Sequence, residues 1–73
     1  MTVPPERLVN SLKIQRAERG ITQEELAEMV GVTRKTINTI ERALFIPSTV
    51  RALRLARVLR EPVEELFRLE DSP

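Results

Sequence analysis

Apolar positions recur at helical spacing along this chain in short blocks, each closed by a glycine, a proline or a capping residue. The first block predicts a helix from near Glu6 to Arg19 with Leu8 and Leu12 on one face. Gly20 is expected to end it, because glycine readily takes the left-handed conformation found after many helices.

A capping box begins the second predicted helix. The Thr22 hydroxyl can accept from the backbone amide of Glu25, while the Glu25 carboxylate reaches back to the start of the helix. The positions at helical spacing are Leu26, Met29 and Val30. Gly31 follows them, so this helix is expected to have only about two turns.

The third predicted helix has residues that helix propensity alone does not favour. Thr33 is its expected N-cap, and the helix should run from Arg34 to about Arg42 with Ile37 and Ile40 facing inward. Each β-branched residue in it lowers helix propensity by up to about 0.5 kcal/mol. Packing of the inward side chains and contacts made by the outward side chains therefore explain this sequence better than helix propensity does.

Two more helices complete the predicted fold. Ser48 can cap a helix that extends to about Arg60, whose apolar stripe is Ala52, Leu55, Ala56 and Leu59. A fifth, short helix is expected over residues 62–67, and the tail from Glu70 to Pro73 is expected to be frayed. The sequence thus predicts a single all-α domain of five helices, with its core over about residues 6–69 and both ends frayed.

Composition excludes several classes of function. The 73 residues contain no Cys, His, Trp or Tyr, so disulfides, histidine or thiolate metal ligands and a tyrosine or tryptophan stacking platform are absent. So short a chain has a thin core, and no nucleophile lies beside a plausible base. We expect no enzyme activity, no metal and no cofactor. No apolar stretch reaches the roughly 20 residues of a membrane span, and a cytoplasmic protein is expected.

The positive charge is concentrated in one part of the sequence. Residues 33–60 carry seven cations and one anion, a balance of +6, whereas the whole chain has a net charge of +1. This segment can attract a polyanion although the protein as a whole is nearly neutral. Ordinary solvated helix faces would give the same composition.

Two short helices joined around a glycine form the helix-turn-helix pattern, whose second helix can enter the major groove of DNA. Ala27 is small where the two helices must approach, and Gly31 makes the turn. With these positions filled, residues 22–41 resemble the phage-repressor and Cro-type (XRE) helix-turn-helix family. The similarity extends over about residues 10–67.

The resemblance implies a regulator of transcription that binds double-stranded DNA with a recognition helix at about residues 34–42. The residue matching Gln23 contacts a phosphate in that family. The DNA-binding residues expected here are Gln23, Thr33, Arg34, Lys35, Asn38, Thr39 and Arg42. Arg and Lys can read guanine, Asn can read adenine, and Thr can contact a thymine methyl group or a phosphate.

The resemblance also implies a partly buried ion pair between Arg16 and Glu41, which ties helix 1 to the end of helix 3. Some positions depart from the family pattern. Gln15 stands where a core aliphatic residue is usual, and Ala43 replaces a glycine, so the third helix is expected to run on a little. The other departures are residues 44–46, where a phosphate contact is expected to be lost, and Arg60 and Glu61 at the next junction.

A homodimer on an inverted-repeat operator is the expected assembly, weak without DNA, because one recognition helix touches few base pairs. The candidate dimer surface is Leu53, Leu66, Phe67 and Leu69, with residues 44–46 added if that loop is exposed. The main alternative is a protein-interaction module, antitoxin-like or anti-repressor, that uses residues 44–46, Leu53 and Val58. An unspecific nucleic-acid binder is the third, and competitor DNA would distinguish it. The resemblance is compatible both with a whole small regulator and with the head of a larger one, and both are kept as expectations.

Overall fold

The computed structural model describes residues 7–70, which form five helices and two short strands. In chain order the elements are β1 (Arg7–Asn10), α1 (Leu12–Glu18), α2 (Gln23–Val30), α3 (Arg34–Glu41), α4 (Thr49–Leu59), α5 (Val63–Leu66) and β2 (Phe67–Glu70). None of these helices combines the length and the apolar character that crossing a bilayer requires.

The two strands correct the prediction of an all-helical chain. Strand β1 pairs with β2 in antiparallel fashion, with Leu8 opposite Leu69. Helix α1 therefore begins at Leu12 and not near Glu6, which lies outside the described residues. Leu8 is a half-buried strand residue and does not share a helix face with Leu12.

Hydrogen bonds explain why α1 starts where it does. The Asn10 side-chain oxygen accepts from the backbone N–H of Leu12 at 3.2 Å, and its amide nitrogen donates to the carbonyl oxygen of Ile40 at 3.0 Å. The backbone N–H of Ser11 donates to the carbonyl oxygen of Leu66 at 2.9 Å. These bonds turn the chain sharply between β1 and α1 and attach both to the rest of the fold.

The C-terminal segment is shorter in helix and longer in strand than expected. Helix α5 covers one turn after its N-cap Pro62, and Phe67 already has extended backbone angles as the first residue of β2. Glu70, expected to be frayed, is paired with Arg7 in the two-stranded sheet. The rest of the predicted frayed tail, residues 71–73, lies outside the described part of the chain.

The predicted helix caps are confirmed. Thr22 and Glu25 form both hydrogen bonds of a capping box, at 3.0 Å and 2.9 Å. The hydroxyl groups of Thr33 and Ser48 accept from backbone amides at the starts of α3 and α4. Gly31 ends α2 with a φ of 84°, a conformation that few other residues adopt without strain. Local sequence therefore determines where α2, α3 and α4 begin and where α2 ends.

A single aliphatic core holds the helices together. Its ten buried residues are Leu12, Leu26, Ala27, Val30, Ile37, Ile40, Leu55, Ala56, Leu59 and Leu66. Met29, which the sequence places at helical spacing with Leu26 and Val30, is exposed. The buried stripe of α2 is centred on Leu26, Ala27 and Val30, and this leaves Met29 at the edge of the helix face. Ala52 is only half-buried.

Helix α3 ends abruptly and does not run on as expected. The backbone N–H of Ala43 donates to Ile40 at 2.9 Å and that of Leu44 donates to Thr39 at 3.0 Å, the pair of bonds that closes a Schellman motif. The motif requires a left-handed residue, and Ala43 has a φ of 58°. Arg60 has a similar φ of 56° at the end of α4. Both positions are strained because their side chains crowd the backbone.

Substitution of Ala43 by Gly should stabilise the protein. A left-handed non-glycine residue costs about 1 to 2 kcal/mol, and the added freedom of glycine in the unfolded chain takes back about 0.5 to 1 kcal/mol. We expect a net gain of about 0.5 to 1 kcal/mol, which thermal unfolding would show as a rise of several degrees. The matched control is Ala17→Gly, an exposed alanine within α1, which should lose about 1 kcal/mol. Similar losses in both variants would contradict the strain at Ala43.

Candidate nucleic-acid interface

Helices α2 and α3 are joined by residues 31–33 and pack against each other through buried side chains. Ile37 and Ile40 anchor α3 to the core, so the opposite face of α3 is turned outward. On that face Arg34 and Lys35 are exposed and Asn38 is half-buried. The arrangement presents hydrogen-bonding side chains on a helix that the core holds in place.

Arg34, Lys35 and Asn38 line one open depression of about 340 Å³. Arg34 and Asn38 are one helical turn apart, and Lys35 lies beside them. Together they offer guanidinium, ammonium and amide groups over a small area. These groups match the acceptors and donors that base pairs display in the major groove.

The charges in the first turns of α2 and α3 have opposite signs. Glu24 and Glu25 begin α2, where the helix dipole favours negative charge, and the backbone N–H of Thr22 holds the pKa of Glu25 below its ordinary value of 4.5. Arg34 and Lys35 begin α3, where the dipole disfavours positive charge. A bound anion would relieve this cost, because it could receive hydrogen bonds from both cations.

The predicted ion pair between Arg16 and Glu41 is present. Arg16 Nε donates to Glu41 Oε2 at 2.8 Å, and Nη2 donates to Oε1 at 3.4 Å. The side chains are 15% and 3% exposed. Arg16 Nη1 also donates to the carbonyl oxygen of Ile21 at 2.8 Å. The pair therefore joins α1 and the loop after it to the last turn of α3.

Gln23 extends this network towards the outward face of α3. Its Nε2 donates to Glu41 Oε1 at 3.0 Å, and its Oε1 accepts from Arg34 Nε at 3.4 Å. The sequence indicated Gln23 as a phosphate contact but gave no sign of these two bonds, because they join residues on different helices. Gln23 and Arg34 also line a second open depression, of about 390 Å³.

The other residues predicted to contact DNA either make hydrogen bonds within the protein or lie at the edge of the site. The Thr33 hydroxyl accepts from the backbone N–H of Thr36 at 3.2 Å as the cap of α3. The Thr39 hydroxyl is directed at the carbonyl oxygens of Lys35 and Thr36, at 3.0 Å and 2.9 Å. Arg42 is exposed at the C-terminal end of α3. The side chains best placed to meet a ligand are thus those of Arg34, Lys35 and Asn38.

One residue of the predicted dimer surface is excluded from it. Leu66 is 1% exposed and belongs to the core, because α5 turns it against the other helices. Phe67 is half-buried and packs against the same core. Leu53 and Leu69 are exposed, as is the whole of the loop over residues 44–46.

The helix-turn-helix family profile matches residues 12–66, most of the chain. The chain belongs to the helix-turn-helix family. An uncharacterized HTH-type transcriptional regulator of Methanothermobacter thermautotrophicus is 49% identical over 62 residues, which cover 84% of this chain and 90% of the relative. The sequence resemblance to the phage-repressor and Cro-type family is thereby confirmed.

Two solved structures superpose well on the chain. The restriction-modification controller protein C.AhdI of Aeromonas hydrophila has a TM-score of 0.72 and 36% identity, over 77% of this chain and 85% of its own. The P22 c2 repressor in complex with a synthetic operator has a TM-score of 0.70 and 28% identity, over 73% of this chain and 80% of its own. The arrangement of helices is therefore that of repressor-like proteins.

Loss of either partner of the buried ion pair should destabilise the fold. Arg16→Ala or Glu41→Ala leaves an uncompensated charge with little access to water, so each should lose roughly 3 kcal/mol in thermal or urea unfolding. The double variant should lose less than the sum of the two. Glu61→Ala is the control, because Glu61 pairs with Arg19 at 3.0 Å but is 31% exposed, and it should lose under about 1 kcal/mol. Additive losses below 1 kcal/mol for Arg16 and Glu41 would show that the pair does not hold the helices.

Proposed function

We propose that this chain binds specific sequences of double-stranded DNA and thereby regulates transcription. In this proposal α3 lies in the major groove, which admits an α-helix. The observation that carries it is the exposed first turn of α3, where Arg34 and Lys35 share one depression with Asn38 on a helix anchored by its opposite face. Membership in the helix-turn-helix family supports the same function.

Each outward side chain has a role in this proposal. Arg34 and Lys35 donate to O6 and N7 of guanine, and Asn38 pairs with N6 and N7 of adenine. Gln23 donates to a phosphate with the amide hydrogen that its bond to Glu41 leaves free. Thr33, Thr39 and Arg42 border the same surface and fix the position of the helix on the DNA backbone.

A second copy of the chain completes the proposed DNA complex. One recognition helix touches only a few base pairs, too few to single out a site among about 10⁶ or more competing sites in a genome. Two copies related by a two-fold axis would place their recognition helices about 34 Å apart, on half-sites one turn of DNA from each other. The proposed operator is therefore an inverted repeat.

If Arg34 and Lys35 read bases, replacing either of them should reduce the sequence specificity of DNA binding. Selection from a random DNA library supplies the cognate duplex. Arg34→Ala or Lys35→Ala should weaken binding to it by about 1 to 3 kcal/mol and weaken binding to random DNA much less. Lys13→Ala is the matched control, because it removes an exposed cation from α1, and it should change neither affinity appreciably.

The two duplexes distinguish readout from simple charge attraction. Equal losses on cognate and random DNA would mean that Arg34 and Lys35 contact only phosphates. Loss of binding in the Lys13 control to the same extent would mean that net charge alone drives association. A wild-type protein that enriches no sequence would contradict sequence-specific binding altogether.

A further inference from the structure

The side chain of Asn10 connects the two-stranded sheet to the C-terminal end of α3. Asn10 is the last residue of β1 and is paired with Phe67 of β2, which packs against the core. Its Nδ2 donates to the carbonyl oxygen of Ile40 at 3.0 Å, between residues 30 positions apart in the chain. A half-buried polar side chain in β1 therefore holds the last turn of α3.

Both ends of the Asn10 amide are used. Its Oδ1 accepts from the backbone N–H of Leu12 at the start of α1, at 3.2 Å. An amide has a donor group and an acceptor group, whereas a carboxylate is an acceptor only. A carboxylate at this position could therefore keep the bond to Leu12 but not the bond to Ile40.

The last turn of α3 is the place where its polar anchors meet. The carbonyl oxygen of Ile40 also accepts from the backbone N–H of Ala43 at 2.9 Å, the residue with the strained left-handed backbone. The next residue, Glu41, is bound by Arg16 of α1 and Gln23 of α2. Hydrogen bonds from β1, α1 and α2 thus all hold the C-terminal end of α3.

Helix α3 is short enough that its last turn sets the position of its first. Its eight residues make a rod about 12 Å long at a rise of about 1.5 Å per residue. Apolar contacts of Ile37 and Ile40 are non-directional, so the tilt of the rod depends on its hydrogen bonds. A tilt of roughly 10° about Ile40 would move the start of α3, about 9 Å away, by about 1.5 Å. Recognition groups must be held within about 0.5 Å.

We infer that Asn10 is a positioning residue for base readout. By holding the carbonyl oxygen of Ile40, it fixes the tilt at which α3 presents Arg34 and Lys35 to DNA. The role assigned to Asn10 rests on the proposed DNA-binding function and adds to it a residue that acts through α3 without a DNA contact of its own. Asn10 lies in a strand that the sequence did not predict, so its local pattern gave no sign of this role.

The test compares Asn10→Asp with Ser11→Ala on the selected duplex and on random DNA. Asn10→Asp should lower the ratio of cognate to random affinity by about fivefold or more, the effect of weakening one base contact. The ratio is the quantity to measure, because an added negative charge weakens binding to any DNA. Ser11→Ala is the matched control, since the Ser11 hydroxyl donates to the carbonyl oxygen of Glu65 at 2.7 Å and so attaches the same corner to α5. It should leave the ratio unchanged.

A second background separates positioning from a general loss of stability. In Arg34→Ala/Lys35→Ala the base contacts that Asn10 positions are already gone, so adding Asn10→Asp should lower the ratio much less than it does in the wild type. An effect of the same size in both backgrounds would mean that Asn10 acts on the fold alone, and it would overturn the positioning role.

Amide hydrogen exchange of the free protein tests the contact without DNA. Asn10→Asp should speed exchange at Ala43 and Leu44, whose amides close the end of α3, whereas Ser11→Ala should not. Unchanged exchange at these amides would overturn the inference even if DNA binding is confirmed. If the wild type selects no DNA sequence, the proposed function fails and base readout with it, and the exchange rates show separately whether Asn10 holds α3.

An uncharged variant tests whether the missing donor is the cause. Asn10→Ala should reproduce the lower ratio of cognate to random affinity, and a ratio like that of the wild type would mean that the new carboxylate was responsible. An equal fall in Ser11→Ala would also overturn the inference. Thermal unfolding of each variant completes the test, because failure of both Asn10 variants to fold would make Asn10 a requirement of the fold and not a positioning residue.

Discussion

The buried carboxylate of Glu41 connects three helices, α1, α2 and α3, through its hydrogen bonds. A carboxylate that is almost wholly removed from water is costly unless it is paired and hydrogen-bonded. Arg16 from α1 and Gln23 from α2 together provide those partners. Because Glu41 lies in the last turn of α3, any rotation or shift of α3 would break these bonds. The orientation of α3 is thereby fixed by an ion pair and hydrogen bonds as well as by apolar packing.

This constraint explains how a small domain can present a rigid reading surface. Ile37 and Ile40 fix one face of α3 in the core, and Glu41 fixes its end. The opposite face is then free to carry Arg34 and Lys35, although the helix dipole disfavours positive charge in the first turn. Gln23 connects the two regions, since it bonds both to Glu41 and to Arg34. The hydrogen-bond network that stabilises the fold therefore also holds Arg34, one of the residues proposed to read bases.

Sequence predicted those features that depend on nearby residues. The capping box at Thr22, the turn at Gly31 and the apolar stripe of α4 are all local patterns. Strand pairing of residues 7–10 with residues 67–70 joins the two ends of the described part of the chain, and no periodicity within either segment reveals it. The bonds of Gln23 likewise depend on how α2 meets α3. At Ala43 the closing hydrogen bonds of α3 outweighed the strain of a left-handed alanine.

The outward face of α3, held in place by the core and by Glu41, is the proposed contact with DNA. Titration of isotope-labelled protein with the selected duplex, followed by amide chemical shifts, tests it most directly. We predict the largest changes at the start of α2 around Gln23 and in residues 33–38, with α1 residues such as Lys13 little affected. Large changes on the exposed face of α4 around Arg54 and Arg57, with the first turn of α3 unperturbed, would contradict the account.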